Sequence, residues 1–362
     1  MKKIFIAATK QNDGKTTVSL GLIRNFQNIF KKVGFIKPIG QRYLEEEGFK
    51  IDEDSVLIEE VCGIKCGLKD MSPIAVEKGF TEKYIARPDR QSISRKIKES
   101  FNRVSKRKDL VIVEGTGHAG VGSVFDHSNA TVARLLGCKV ILISSGGVGR
   151  PIDEIILNKA LFEREGVKLL GVIINKVLPD KFDRINRLVR MGLERKGVNV
   201  LGVLPYNPML SRSTFEQIIE ETGFEILCGK DYLERSVSQV IVGAMEPADA
   251  VKYITEDSLM ITPGDRQDMI MTALSCFREG DDKKLKLCGM VLSGGITPEQ
   301  PVMSLLGKAG IPVLLAKADT YDVATSIHDL TVKIRPCDKV KIEAVVKLVK
   351  DNVDLKKILF HL

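Results

Sequence analysis

Short apolar runs alternate along the first half of the chain with longer stretches in which apolar residues return every three or four positions. Ile4–Ala7, Val33–Lys37, Leu110–Glu114, Val140–Ser144, Leu169–Asn175 and Val198–Pro205 are rich in β-branched residues. They are continuously apolar rather than alternating, the pattern of strands covered on both faces. Thr16–Phe30, Ile93–Val104 and Ile152–Glu165 have the helical period. The alternation predicts an α/β fold, a parallel sheet with helices on both faces.

From Ser211 to Thr222 the pattern is helical, and a new unit begins near Gly223. Val237–Val242, Ser258–Thr262, Cys288–Leu292 and Val313–Ala316 read as buried strands, and Gln267–Phe277, Val302–Ala309 and Val340–Asp351 as helices. The expectation is two domains, 1–210 and a smaller α/β domain over 220–362, with the boundary between about 208 and 225. No Pro/Ser-rich linker marks it, and there is no internal repeat.

The chemistry concentrates where the first strand ends. Ala8-Thr9-Lys10-Gln11-Asn12-Asp13-Gly14-Lys15-Thr16-Thr17 follows a buried strand and opens a helix, the context of a phosphate-binding loop. Backbone N–H groups from Thr9 to Thr17, including those of Asn12 and Asp13, are expected to cradle phosphates. Gly14 lets the backbone approach, Lys15 bridges the β- and γ-phosphates, and Thr16 ligates Mg²⁺ through its hydroxyl. The usual G-x-x-x-x-G-K-[ST] pattern has Gly where this chain has Thr9. Lys10 stands four residues before Gly14, the mark of the "deviant Walker A" subclass, in which that lysine reaches the phosphate of a partner subunit.

Other polar residues fall at the carboxyl ends of predicted strands, where ligands collect in parallel sheets. Lys37 follows the second strand. Glu114 ends the third, where a carboxylate is needed for Mg²⁺. Asp52 and Asp54 follow in an acidic loop, as metal ligands or as the solvated start of a helix. Asn175 closes a later strand, to read an adenine edge or to cap a turn.

The net charge of +8 arises from scattered residues, with no Lys/Arg block interleaved with aromatics and no Trp. That favours an anionic small ligand over nucleic acid. No apolar run reaches the length of a membrane span, and the N-terminal run is too short for a signal peptide, so a cytoplasmic protein is expected. Seven cysteines without a framework point to free thiols. Cys62 and Cys66, the close pair, are read as small residues on one helix face rather than a zinc site.

Together, Ala8–Thr17, Val18–Arg24, Lys37-Pro38-Ile39, Asp54–Leu57, Val113-Glu114-Gly115, Ser128-Asn129-Ala130, Gly146–Ile155 and Asn175-Lys176-Val177 resemble the dethiobiotin synthetase family. The resemblance is closer still to the N-terminal region of long phosphate acetyltransferases, and covers residues 1 to about 207. It implies that Lys15, Thr16, Asp54 and Glu114 bind phosphates and Mg²⁺, that Lys37 assists a reaction, that Asn175 reads the base, and that the domain pairs as a homodimer. The second half resembles the DRTGG domain through Gly243-Ala244-Met245, Gly264–Asp268, Leu292–Gly295, Gly310–Leu314, Asp319-Thr320-Tyr321 and Lys333–Pro336. Its Gly-rich loops beside Arg266 are either an anion site or tight turns with Asp265–Arg266 pairing. The acetyl-transferring domain of long acetyltransferases does not follow before Leu362, so the resemblance implies the regulatory half without acetyltransferase activity.

Two functions compete. The first is an ATP·Mg²⁺-binding regulatory or switch protein, with slow or no hydrolysis, acting through a partner in acetyl or central metabolism. The second is an ATP-dependent ligase of the dethiobiotin synthetase or cobyrinate amidase type. A partition-type ATPase suits Lys10, but the second half argues against it.

Overall fold

The structure is a computed structural model, and it describes residues 1–46, 48–277, 287–330 and 332–362. Two compact units emerge, one comprising Met1–Asn207 with Ile334–Leu362 and the other Pro208–Lys333.

In the first unit, β1 (Lys2–Ala8) runs into α1 (Lys15–Phe26) and then β2 (Val33–Ile36). After them come α2 (Glu53–Cys62), α3 (Arg90–Ser105), β3 (Leu110–Glu114), α4 (Asn129–Leu136) and β4 (Lys139–Ser145). The unit continues through α5 (Gly149–Arg164), β5 (Leu169–Val177), α6 (Phe182–Glu194) and β6 (Val200–Pro205). The six strands form one sheet in the order β2-β3-β1-β4-β5-β6, every neighbour parallel. Ile4 to Ala8 of β1 and Leu110 to Val113 of β3 are fully buried. That is why these strands read as unbroken apolar runs: helices cover both faces.

The second unit holds α7 (Phe215–Thr222), β7 (Glu225–Cys228), β8 (Gln239–Val242), β9 (Ser258–Pro263), α8 (Gln267–Cys276), β10 (Leu287–Ser293), α9 (Gln300–Lys308), β11 (Val313–Leu315) and α10 (Thr320–His328). Its sheet order is β7-β11-β10-β9-β8, with only β7 antiparallel. Successive residues of β9 and β10 enter different cores. Met260, Met290 and Leu292 pack with Ile270 and Leu306 of α8 and α9. Leu259, Ile261 and Val291 pack with Phe215, Val323 and Ile327 of α7 and α10. Strand periodicity thus builds a three-layer sandwich.

The chain then returns. α11 (Lys339–Asn352) and α12 (Leu355–His361) belong to the first unit rather than to a domain over 220–362. Buried Val345 and Val349 seat α11 on α1, where Gly21 makes room: a Cβ there would lie 2.4 Å from Val349 Cγ2. Asn25 Nδ2 donates to Val346 O at 3.0 Å, tying the same two helices.

Cys62 and Cys66 do not share a helix face. Gly63, with φ 59°, caps α2 directly after Cys62, and Cys66 lies in the loop beyond. All seven thiols are free, and burial pushes that of Cys62 up to about 12.

Candidate functional site

The loop between β1 and α1 is held from inside. Thr9 Oγ1 donates to Asp13 Oδ2 at 2.8 Å and lies 3.0 Å from Ser144 Oγ, and Lys10 N–H donates to the same Asp13 oxygen at 2.8 Å. Asp13 therefore closes the loop around itself, and the Thr9 hydroxyl takes part where other loops have glycine. Asn12 and Gly14 adopt left-handed backbone with φ 66° and 96°. Gly14 is required twice over, since a Cβ would lie 2.3 Å from Asn175 Nδ2.

α1 starts at Lys15 with no side-chain cap and no acid in its first turn. Such an end presents free N–H groups and the positive end of the helix dipole. Lys15 stands at its opening. Burial draws its ammonium below the usual lysine value and Lys37 adds to this, while Glu114 and Asp54 oppose.

Thr16 Oγ1 donates to Glu114 Oε1 at 3.1 Å. Glu114 is fully buried at the end of β3, and desolvation together with Asp54 raises its pKa, Lys37 opposing. Lys37 N–H donates to Met71 O at 2.7 Å, and its side chain is buried among acids. Lys37 Nζ lies 2.8 Å from Asp52 Oδ1 and 3.8 Å from Glu114 Oε1, and pairs most closely with Asp54. Burial opposes the ammonium, but Asp54, Asp52 and Glu114 outweigh it and hold its pKa above the usual range. Asp52 is indeed a helix cap, accepting Asp54 N–H at 3.0 Å, yet it is buried rather than solvated. An antiparallel pair, Tyr43–Glu46 with Phe49–Asp52, delivers it there.

The acids fit a divalent cation. Asp52 Oδ2 and Glu114 Oε2 are buried without a hydrogen-bond partner among the described residues. Such orphaned acceptors call for a positive partner. No group of three His, Cys, Asp or Glu among the described residues is arranged to hold a metal unaided. Mg²⁺ does not need one, because it retains waters and is shared between one or two carboxylates and phosphate oxygens. Thr16 and Glu114, with Asp52 or Asp54 from the start of α2, are the residues that would hold it.

The remaining expected residues divide. Asn175 is buried against the loop, Nδ2 donating to Asp13 O at 2.9 Å, and Lys176 Nζ donates to Asn12 O at 2.8 Å. Thr17 sits half-buried in the first turn of α1. The Lys10 ammonium pairs with Glu154 of α5, 2.7 Å from Oε1. Arg266 pairs with Asp268, Nε–Oδ1 2.9 Å and Nη2–Oδ2 2.8 Å, rather than with Asp265. Sequence reasoning gave no role to Asn129. Its Oδ1 accepts Thr116 N–H at 3.1 Å, and its Nδ2 donates to Thr116 O at 2.7 Å and His118 O at 2.6 Å, so it braces the Gly-rich loop after Glu114. The available signal was Ser128, which caps α4 and so places Asn129 at the helix start.

Comparison with known proteins agrees with this architecture. Residues 2–214 match the family described as AAA domain, and 217–330 match the DRTGG domain. The phosphate acetyltransferase of Pseudomonas putida is 28% identical over 370 residues, covering 98% of this chain and 51% of the relative. That of Pseudomonas aeruginosa is 27% identical, covering 98% and 51%. The chain thus spans about half the length of the curated relatives it matches. Among solved structures, the septum site-determining protein MinD complexed with Mg-ADP from Pyrococcus horikoshii aligns at 16% identity and a TM-score of 0.37, covering 58% of this chain and 83% of that one. The CBS and DRTGG domains of the regulatory region of Clostridium perfringens pyrophosphatase align at 20% identity and a TM-score of 0.27, covering 38% and 60%.

Proposed function

For a chain that belongs to the AAA domain family and carries a DRTGG domain as well, we propose that the first unit binds ATP·Mg²⁺ and acts as a nucleotide-dependent regulatory module. One observation carries the reading: the Thr16 hydroxyl meets the buried Glu114 carboxylate beside an uncapped helix start with Lys15 at its opening. Phosphates would take the loop N–H groups and Lys15. Thr16 and Glu114, with Asp52 or Asp54, would hold the metal, which supplies charge between the phosphate oxygens. The regulated activity is acetyl transfer by a catalytic domain on the same or a partner chain, since the relatives covering the whole of this chain are phosphate acetyltransferases about twice its length.

The ligase alternative asks Lys37 to act on a substrate. Its ammonium is instead held by Asp52, Asp54 and Glu114, which favours a binding and sensing role. A homodimer remains part of the proposal, with Lys10 exchanging Glu154 for a phosphate of the partner subunit.

Hydrogen exchange with and without ATP·Mg²⁺ tests the reading. Protection is expected in 9–18, with a second change within 217–330 if that domain is the output. Unchanged exchange in 9–18 would overturn nucleotide binding, and a change confined to 1–207 would overturn regulation through the DRTGG domain.

A further inference from the structure

The end of the first unit's sheet opposite the phosphate loop also carries concentrated positive charge. Lys32 and Lys108 lie just before β2 and β3, at the N-terminal ends of parallel strands whose carboxyl ends hold Lys37 and Glu114. Between them opens a cavity of about 410 Å³. Six cations line it, Lys32, Lys65, Arg103, Lys106, Arg107 and Lys108, against a single acid, Asp70. Five residues of strand, at about 3.3 Å each, separate the two ends of the sheet, so this cavity is distinct from the nucleotide site.

We infer that this cavity is a second anion site, taking a small ligand that bears two or more phosphate groups. Cations near the last turn of α3 would complement the negative end of its dipole, but that accounts for few of them. Lys32 and Lys65 come from other segments. Arg103 is neutralised by Asp70, Nε–Oδ1 2.8 Å. Asp109, beside the cavity, spends a carboxylate oxygen on the backbone N–H of Lys32 at 3.0 Å. Among the described residues, the side chains of Lys32, Lys65, Lys106 and Arg107 have no ion pair or hydrogen bond. Arg107 is moreover held in left-handed backbone, φ 59°, which non-glycine residues rarely adopt. Like charges crowded in a concavity repel one another until an anion enters, and multiple phosphates meet multiple cations best. The volume lies within the usual range of small-ligand sites.

The test uses the full chain with Lys15→Ala, which weakens the phosphate loop, and calorimetry with inorganic phosphate, pyrophosphate and tripolyphosphate. Affinity is expected to rise in that order and to fall as salt rises. Adding Lys65→Ala, Lys106→Ala and Arg107→Ala, all at exposed positions, should weaken tripolyphosphate at least tenfold with the circular dichroism unchanged. Cys66 lines the same cavity, so tripolyphosphate should slow its alkylation and leave the exposed Cys337 unaffected. As a single-site control, Lys65→Glu should weaken binding as well. Tripolyphosphate affinity lost with Lys15→Ala, or unchanged by the cavity substitutions, would overturn the inference. So would stronger cavity-dependent binding of duplex DNA or phosphatidylserine vesicles. ATP binding by the parent chain is measured separately, so failure here leaves the nucleotide reading standing.

Discussion

Replacing Lys37 with Met removes the buried cation that three carboxylates share. The methionine nearly fills the volume, so the loss is electrostatic. Lys37 Nζ contacts Asp52 at 2.8 Å, Glu114 at 3.8 Å and Asp54 most closely, and the lysine is 7% exposed. Breaking a buried ion pair by removing one partner costs about 3–5 kcal/mol, because the other charge stays buried and uncompensated. Three acids are stranded here, but proton uptake by one of them lowers the cost, so about 3 kcal/mol at neutral pH is the expected loss. Domains are stable by only about 5–15 kcal/mol, so the effect should be plain. The assay is urea unfolding followed by circular dichroism with EDTA present, the transition of the first unit being analysed separately because two units need not unfold together. Mg²⁺ at 100 times its dissociation constant should restore about 2.7 kcal/mol through binding to the folded state. A variant within about 1 kcal/mol of the parent in EDTA would refute the claim that Lys37 neutralises Asp52, Asp54 and Glu114.

Three other substitutions probe separate parts of the account. Gly14→Ala places a methyl against Asn175 Nδ2 and forces φ 96° on alanine, so nucleotide affinity, read by fluorescence titration, should fall at least tenfold while the fold survives. Asn129→Ala leaves the Thr116 N–H and two carbonyls of the Gly-rich loop unpaired and should cost about 1–3 kcal/mol in thermal unfolding, with faster exchange at 115–120. His127 is buried between Ser94 Oγ at 2.8 Å and Phe125 O at 2.7 Å, and desolvation, aided by Arg90, lowers its pKa, while the Phe125 carbonyl and Asp126 oppose. Its folded pKa is depressed, so the neutral ring is favoured in the fold. Its contribution is full above the unfolded value of about 6.5 and is lost as pH falls below it. His127→Gln should flatten that part of the stability–pH curve, and an unaltered slope would contradict the assignment.

What was legible in the sequence follows from how its elements are buried. Leu110–Glu114 lies between neighbours on both sides and helices on both faces, so its apolar run is unbroken and the charged residue at its end stands out. α6 was not foreseen. Only Ile185, Val189 and Leu193 face inward, a narrow stripe within a run dense in charge. The return of 334–362 is invisible locally, because the Gly21–Val349 contact joins residues over three hundred positions apart and leaves only an ordinary amphipathic pattern in α11. The phosphate loop was readable because its residues are contiguous and its strand–loop–helix setting is local. The acid cluster was readable only in part. That Asp52 both caps α2 and meets Lys37 depends on a hairpin folding Tyr43 against Asp52. Lys10 was legible as a signature but not in its contact, since Glu154 approaches from a helix far along the chain.

The claim on which the rest stands is that the loop ending at Lys15 binds ATP·Mg²⁺, and calorimetric titration of the parent chain and Lys15→Ala measures it directly. The account predicts one site per chain in the parent, an affinity that drops when Mg²⁺ is replaced by EDTA, and a loss in Lys15→Ala of about 2–3 kcal/mol, roughly 30- to 150-fold, the worth of a charge-assisted contact. Equal ATP affinity in the two proteins, or no binding by the parent, would contradict it.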